Sequence, residues 1–163
     1  MIEKIISGGQ TGVDQAALDI AIKFNIPHGG WCPKGRIAEN GMIPLKYLLT
    51  ETESSDYSIR TKLNIRDSDG TLILVPENLA KITSGTMMTI QVAKEKEKPY
   101  FIAELAEAQN IQSIVDWVYE NNIKILNVAG PRESHYPGIN QLSVKFLEKI
   151  IPFLLVRMTA TEQ

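Results

Sequence analysis

The chain has 163 residues, of which 44% are hydrophobic and 22% charged, and its formal net charge is −2. This size and balance predict one domain with a core of its own, and the slight acidity argues against wholesale nucleic-acid binding. The single cysteine, Cys32, excludes an internal disulfide framework and fits a reducing, cytoplasmic compartment.

The apolar start is short and broken by Glu3 and Lys4, so no leader peptide is expected. The longest apolar run, 150–156, is too short to span a bilayer and contains Pro152. Residues 2–7 predict a first strand. Ser7-Gly8-Gly9-Gln10-Thr11-Gly12 follows as a glycine-rich turn into a helix over 12–25, with Val13, Ala16, Ala17, Ile20, Ala21 and Phe24 on one face. Asn25 and Pro27 end it. A short strand is expected near 28–31, then an irregular stretch over 32–53, long enough to be functional or mobile. A helix over 54–66 takes Ser54 or Ser55 as its N-cap. The apolar run 71–75 is a strand, and a helix runs from Ser84 to near Lys98 and Pro99. A strand at 100–103, a helix at 111–121, a strand at 125–128 and a helix from Gly138 complete the domain. The boundaries are 1–156 for a single ligand-binding domain and 157–163 for a frayed tail.

Strands that are continuously apolar between helices imply a parallel sheet covered on both faces. The expected fold is a Rossmann-like three-layer α/β/α sandwich with a mainly parallel sheet. Loops after strand C-termini then share one edge, where ligands bind. Four such loops carry suitable residues. Gly8, Gly9, Gln10, Thr11 and Gly12 suit a phosphate cradle, because glycines let backbone N–H groups approach an anion and the helix dipole assists. Ser84, Gly85 and Thr86 open a second helix as a second anion nest. Lys34, Arg60 and Arg132 supply positive charge, and Trp31 with the loop after it supplies a wall or lid for a ring. One helix end contributes only about 0.3–1 kcal/mol to an exposed anion, whereas micromolar binding needs about 8 kcal/mol, so several loops must act together.

Several residues admit two readings. Thr11 and Asp14 have capping-box spacing, with Thr11 as N-cap; beside an anion, Asp14 would instead need a sugar hydroxyl, an amine or a metal. Cys32 reads more readily as a packed thiol than as a nucleophile, and for Trp31 a core or rim aromatic is a commoner case than a ring-stacking wall. His28 and His135 lack metal-pair spacing, and no metal site is expected. Asp69 reads as structural. A classical NAD site is excluded, since Ser7 replaces the first glycine of GxGxxG and no acid closes the second strand.

The segments Ser7 to Asp14, Gly29-Gly30-Trp31-Cys32-Pro33-Lys34-Gly35-Arg36, Leu49-Thr50-Glu51-Thr52, Arg60-Thr61, Arg66-Asp67-Ser68-Asp69 and Asn127 to Glu133 resemble the molybdenum carrier family. That family is similar in turn to the LOG phosphoribohydrolases and DprA, which are Rossmann-like nucleotide binders. The resemblance implies a protein that binds a phosphorylated heterocycle, with molybdenum cofactor (molybdopterin) as the carried ligand. It also implies a homo-oligomer. The alternative is a LOG-like hydrolase acting on nucleotides or related phosphorylated sugars. In that pattern the glutamate of the PGGxGTxxE loop falls here on Thr89, which cannot serve as a carboxylate base. DprA-like binding of single strands runs against the acidic balance.

Overall fold

A computed structural model describes residues 1–77, 82–106 and 111–156 of the chain. The tail assigned to 157–163 lies outside the described residues. The first strand, β1 (Lys4–Ile6), leads to helix α1 (Val13–Lys23) and a two-residue strand β2 (His28–Gly29). The stretch 32–53 is less irregular than its sequence implies. It carries β3 (Trp31–Cys32), β4 (Ile37–Ala38), β5 (Gly41–Met42) and β6 (Thr50–Glu51). β3 pairs with β6 in parallel, and β4 pairs with β5 as a small antiparallel hairpin. Two-residue strands leave no periodicity to detect, which is why the sequence pattern misses them.

Helix α2 (Tyr57–Arg66) starts later than expected. Its N-cap is Asp56, which accepts a hydrogen bond from Ser58 N, rather than Ser54 or Ser55. Next come β7 (Gly70–Val75), α3 (Ser84–Glu95), β8 (Tyr100–Glu104), α4 (Ile111–Glu120), β9 (Ile125–Ala129) and α5 (Ile139–Leu155). Helix α3 ends at Glu95, about a turn before Pro99, with Lys96 as its C-cap and Glu97 at a positive φ of 53°.

The main sheet has the order β2-β1-β9-β7-β8 with every pairing parallel. Strand β7 shows why its sequence is apolar throughout. Leu72 and Leu74 enter the large core with α1, α4 and α5, while Ile73 and Val75 enter the opposite core with Ile90 of α3. Helices α2 and α3 pack together through Ile65, Val92 and Ala93. The expected three layers are therefore formed. Asp69 ties the bottom of the sheet together by accepting from Lys124 N and Ile125 N, the structural role expected of it.

The last strand in sequence, β9, lies at the centre of the sheet, between β1 and β7. The loops after β1, β9 and β7 are therefore neighbours on the C-terminal edge. That edge is where a parallel sheet places a ligand.

Candidate functional site

A cavity of about 160 Å3 opens on this edge. Its walls include Gln10 and Asp14 after β1, Tyr57 and Arg60 on α2, Ser84 at the start of α3, and Arg132 after β9. Gly8, Gly85 and Thr86 also line it. Eight of the thirteen residues singled out in the sequence thus meet in one cleft, brought there from four separate segments.

The glycine turn does not present an open cradle. All of residues 8–12 are buried. Gln10 N donates to Asp14 Oδ2 at 3.2 Å, and Thr11 N donates to the Gln10 side chain at 3.0 Å. Val13 N is taken by Pro131 O at 3.2 Å. The Asp14 carboxylate thus fills the anion position of the turn from within. It also receives Arg60 Nη1 at 2.6 Å, a pair whose side chains are 6% and 13% exposed. The Arg60 guanidinium lies directly against Gly8, so a Cβ built there would fall 1.5 Å from Nη1. Gly8 is needed for that close approach rather than for an amide nest.

The start of α3 is open. Thr83 is the N-cap and accepts from Thr86 N, while the N–H groups of Ser84 and Gly85 make no hydrogen bond among the described residues. Nothing stands within 4 Å of a Cβ built on Gly85. These two amides point out of the first turn of a twelve-residue helix, where the dipole favours negative charge. Arg132 adds a cation that forms no salt bridge among the described residues. Its guanidinium lies 5.3 Å from the Tyr57 ring, and that of Arg60 lies 5.5 Å from the same ring. Tyr57 thus holds both arginines in place by cation–π contact.

Gln10 supplies a further donor. It is 5% exposed, and its Oε1 accepts from both Thr11 N and Glu39 N at 3.0 and 2.9 Å. Those two bonds fix which way the amide faces. Its Nε2 is then left without a partner, as is Nε of Arg60. A buried donor without an acceptor costs roughly 1–3 kcal/mol, and both residues line the cleft.

Five of the sequence-selected residues are elsewhere. Gly9, with φ 81°, faces Ile43 and Leu49 of the segment that covers the turn. Gly12 is the N-cap of α1 and lies against the backbone of Pro131 and Glu133. The expected Thr11–Asp14 capping box is therefore not formed. The Thr11 hydroxyl instead donates to Glu39 and accepts from Glu133 N, and Thr11 lines a separate, more open groove with Glu39, Asp19 and Asn140. Trp31 is no wall of the cleft: its indole N–H donates to Asp67 at 2.8 Å, and its backbone is clamped by both amide atoms of Asn64. Lys34 is exposed on a turn tied to Ser54 O, away from the cleft.

Sequence reasoning passed over the roles of Tyr57, Asn127, His135 and Glu39. Tyr57 and Arg60 stand three apart on α2, a spacing that puts both on one face and could have paired them. Glu39 carried no local signal, since its partners Thr11 and Ser134 are remote in sequence. Thr89 lines the cleft, and its hydroxyl donates back to Gly85 O at 3.1 Å. Asp14 is the one carboxylate among the described lining residues. Cys32 of β3 is fully buried among Leu18, Ala38, Ile43 and Tyr47. Burial pushes its thiol pKa up, with Arg36 opposing. Among the described residues no group of three His, Cys, Asp or Glu is placed to hold a metal, and no helix is long and apolar enough to cross a membrane.

The comparisons agree with this picture of the fold. The family described as "Circularly permutated YpsA SLOG family" matches residues 5–151. The chain is also similar to a crystal structure from Syntrophus aciditrophicus SB, solved at 1.45 Å resolution and named "putative molybdenum carrier protein". The two are 44% identical, with a TM-score of 0.84 over 95% of this chain and 96% of that one. No curated protein matches.

Proposed function

Since the chain belongs to the circularly permutated YpsA SLOG family, we propose that its cleft binds a small phosphorylated heterocycle and that the protein acts as its carrier. The observation that carries this reading is the meeting of Arg132, the free amides of Ser84 and Gly85, and the orphaned Gln10 Nε2 around one cavity. Cations, amides at a helix start and an uncapped amide donor are what a phosphate or other oxyanion takes up. The Asp14–Arg60 pair is neutral as a unit, so Arg132 carries the net charge of the site.

The name of the similar structure makes molybdenum cofactor, a phosphorylated pterin, the first candidate for the cargo. The donor set here fits its phosphate. A nucleotide offers the same group. In this reading the working unit is a cytoplasmic homo-oligomer, which sedimentation of the purified protein tests directly.

Native mass spectrometry of protein purified without oxygen tests the reading. The expected result is a phosphorylated heterocycle that co-purifies with wild type and is lost from Arg132→Glu. A wild-type protein that carries no such compound, and binds none when offered inorganic phosphate or nucleoside monophosphates, overturns it.

A hydrolase remains the second reading, favoured by the buried Asp14 carboxylate in the cleft. Its test is release of free base from nucleoside monophosphates. Against it stand the engagement of Asp14 by Arg60 and the presence of Thr89, which cannot serve as a carboxylate base, at the glutamate position of the LOG pattern.

A further inference from the structure

A second cavity, of about 150 Å3, adjoins the first. The two share Thr83, Thr86, Pro131 and His135 as walls. Their chemistry differs. The first is lined by two arginines, helix-start amides and Gln10. The second is lined by Val75, Pro76, Ile82 and Tyr136, at the C-terminal end of β7 and in the loop after β9. Its one carboxylate is that of Glu77, an exposed residue. A cationic chamber and an apolar chamber that share a wall suit a ligand with two unlike ends.

We propose that the apolar chamber is the ring subsite of the ligand held by the cationic cleft, and that Glu77 selects rings with an N–H donor edge. The inference rests on the ligand reading above. It assigns the ring to Tyr136, Pro131 and Ile82, where the sequence alone points to Trp31. A flat heterocycle gains by leaving water for apolar walls. The shared wall at Thr86 and Pro131 places such a ring within one short linker of Ser84, Gly85 and Arg132. Glu77 is acceptor-only when ionised. It therefore pairs with a ring that presents adjacent N–H groups, as the 2-amino-oxo edge of guanine and of pterins does, and disfavours a bare acceptor edge. Among the described lining residues Glu77 is the one carboxylate, and the His135 imidazole stands in the wall shared with the first cavity.

The test compares GMP with ribose 5-phosphate, which shares the phosphate and sugar but lacks the ring. Affinities are measured by titration calorimetry on wild type, Ile82→Trp and Glu77→Gln. Ile82→Trp fills the chamber. Glu77→Gln keeps size at an exposed position and is safe for folding. GMP should bind wild type at least about tenfold more tightly than ribose 5-phosphate. Ile82→Trp should erase that advantage and Glu77→Gln should reduce it, with ribose 5-phosphate unchanged in both. A side-chain-phosphorylated pterin run beside GMP separates the two sources of such a ring, and one of them must show the advantage.

Equal binding of ring-bearing and ring-free probes to wild type overturns the ring subsite and leaves the anion site standing. So does GMP affinity that neither variant alters, or a loss in Ile82→Trp shared by ribose 5-phosphate. Failure of every probe to bind wild type removes the ligand reading itself, and this inference with it.

Discussion

Asp14 Oδ2 lies 2.6 Å from Arg60 Nη1, a contact between residues 46 apart in sequence that closes the glycine turn from inside. The pair joins α2 to the turn after β1 and sets the Arg60 guanidinium against Gly8. Removing one member of a buried pair leaves the other charge without compensation, which costs about 3–5 kcal/mol. Arg60→Met and Asp14→Asn should each lower stability by that order in urea unfolding. The double variant should lose clearly less than the sum, as expected for groups in direct contact. Additive losses would show that the two residues act independently.

Two glycines should respond in opposite ways. Gly85 sits in the first turn of α3 with open space where a Cβ would go. Gly85→Ala should therefore stabilise the fold by roughly 0.5–1 kcal/mol. Gly9 has φ 81°, and a Cβ there would come within 2.6 Å of Leu49. Gly9→Val should cost on the order of 1–3 kcal/mol, and any loss of ligand should follow that loss of stability. Thermal melts of both variants check the signs.

The β4–β5 hairpin is tethered to the cleft edge through Glu39, which accepts from Thr11 and from both N and Oγ of Ser134. Burial raises the Glu39 pKa, but the hydrogen bonds from Ser134 and Thr11 outweigh it and hold the carboxyl below its ordinary value. A carboxyl held down in the folded state contributes stability that is present above its unfolded pKa. That contribution is lost as pH falls through the folded value. The hairpin should therefore loosen only on the acid side of the ordinary carboxylate range. Hydrogen exchange at Ser134 N and Glu39 N should speed up there in wild type. In Glu39→Gln it should be fast already at neutral pH. Exchange in the variant equal to wild type at neutral pH would show that the tether does not hold the hairpin.

Cys32 is fully buried, and burial raises its thiol pKa. Since the thiolate is the reactive form, a thiol reagent should label it only after unfolding. Fast labelling of the native protein would contradict its packed position beneath Ile43 and Tyr47.

The long-period features of this chain are legible in its sequence. The alternation of Leu72 and Leu74 with Ile73 and Val75 announces a strand buried on both faces, and α1 and α5 show their apolar stripes. The parallel order implies a shared edge, and from that edge Arg60, Ser84, Gly85 and Arg132 follow. Contacts without a local signature are not legible. That Asp14 occupies its own turn depends on where Arg60 arrives from α2. Trp31 is drawn off by Asp67 and Asn64, a placement set by the β3–β6 pair, whose strands are too short to leave a pattern. Lys34 looks like Arg132 in sequence, yet of the two it is Arg132, in the loop after β9, that lines the cleft.

Backbone and side-chain amide NMR during titration with GMP bears most directly on the central claim. The Gln10 Nε2 resonances and the Ser84 and Gly85 amides should shift together and saturate at one affinity, and Arg132→Ala should abolish the response. GMP that shifts residues around Trp31 and Lys34 while leaving Gln10, Ser84 and Gly85 in place would contradict it.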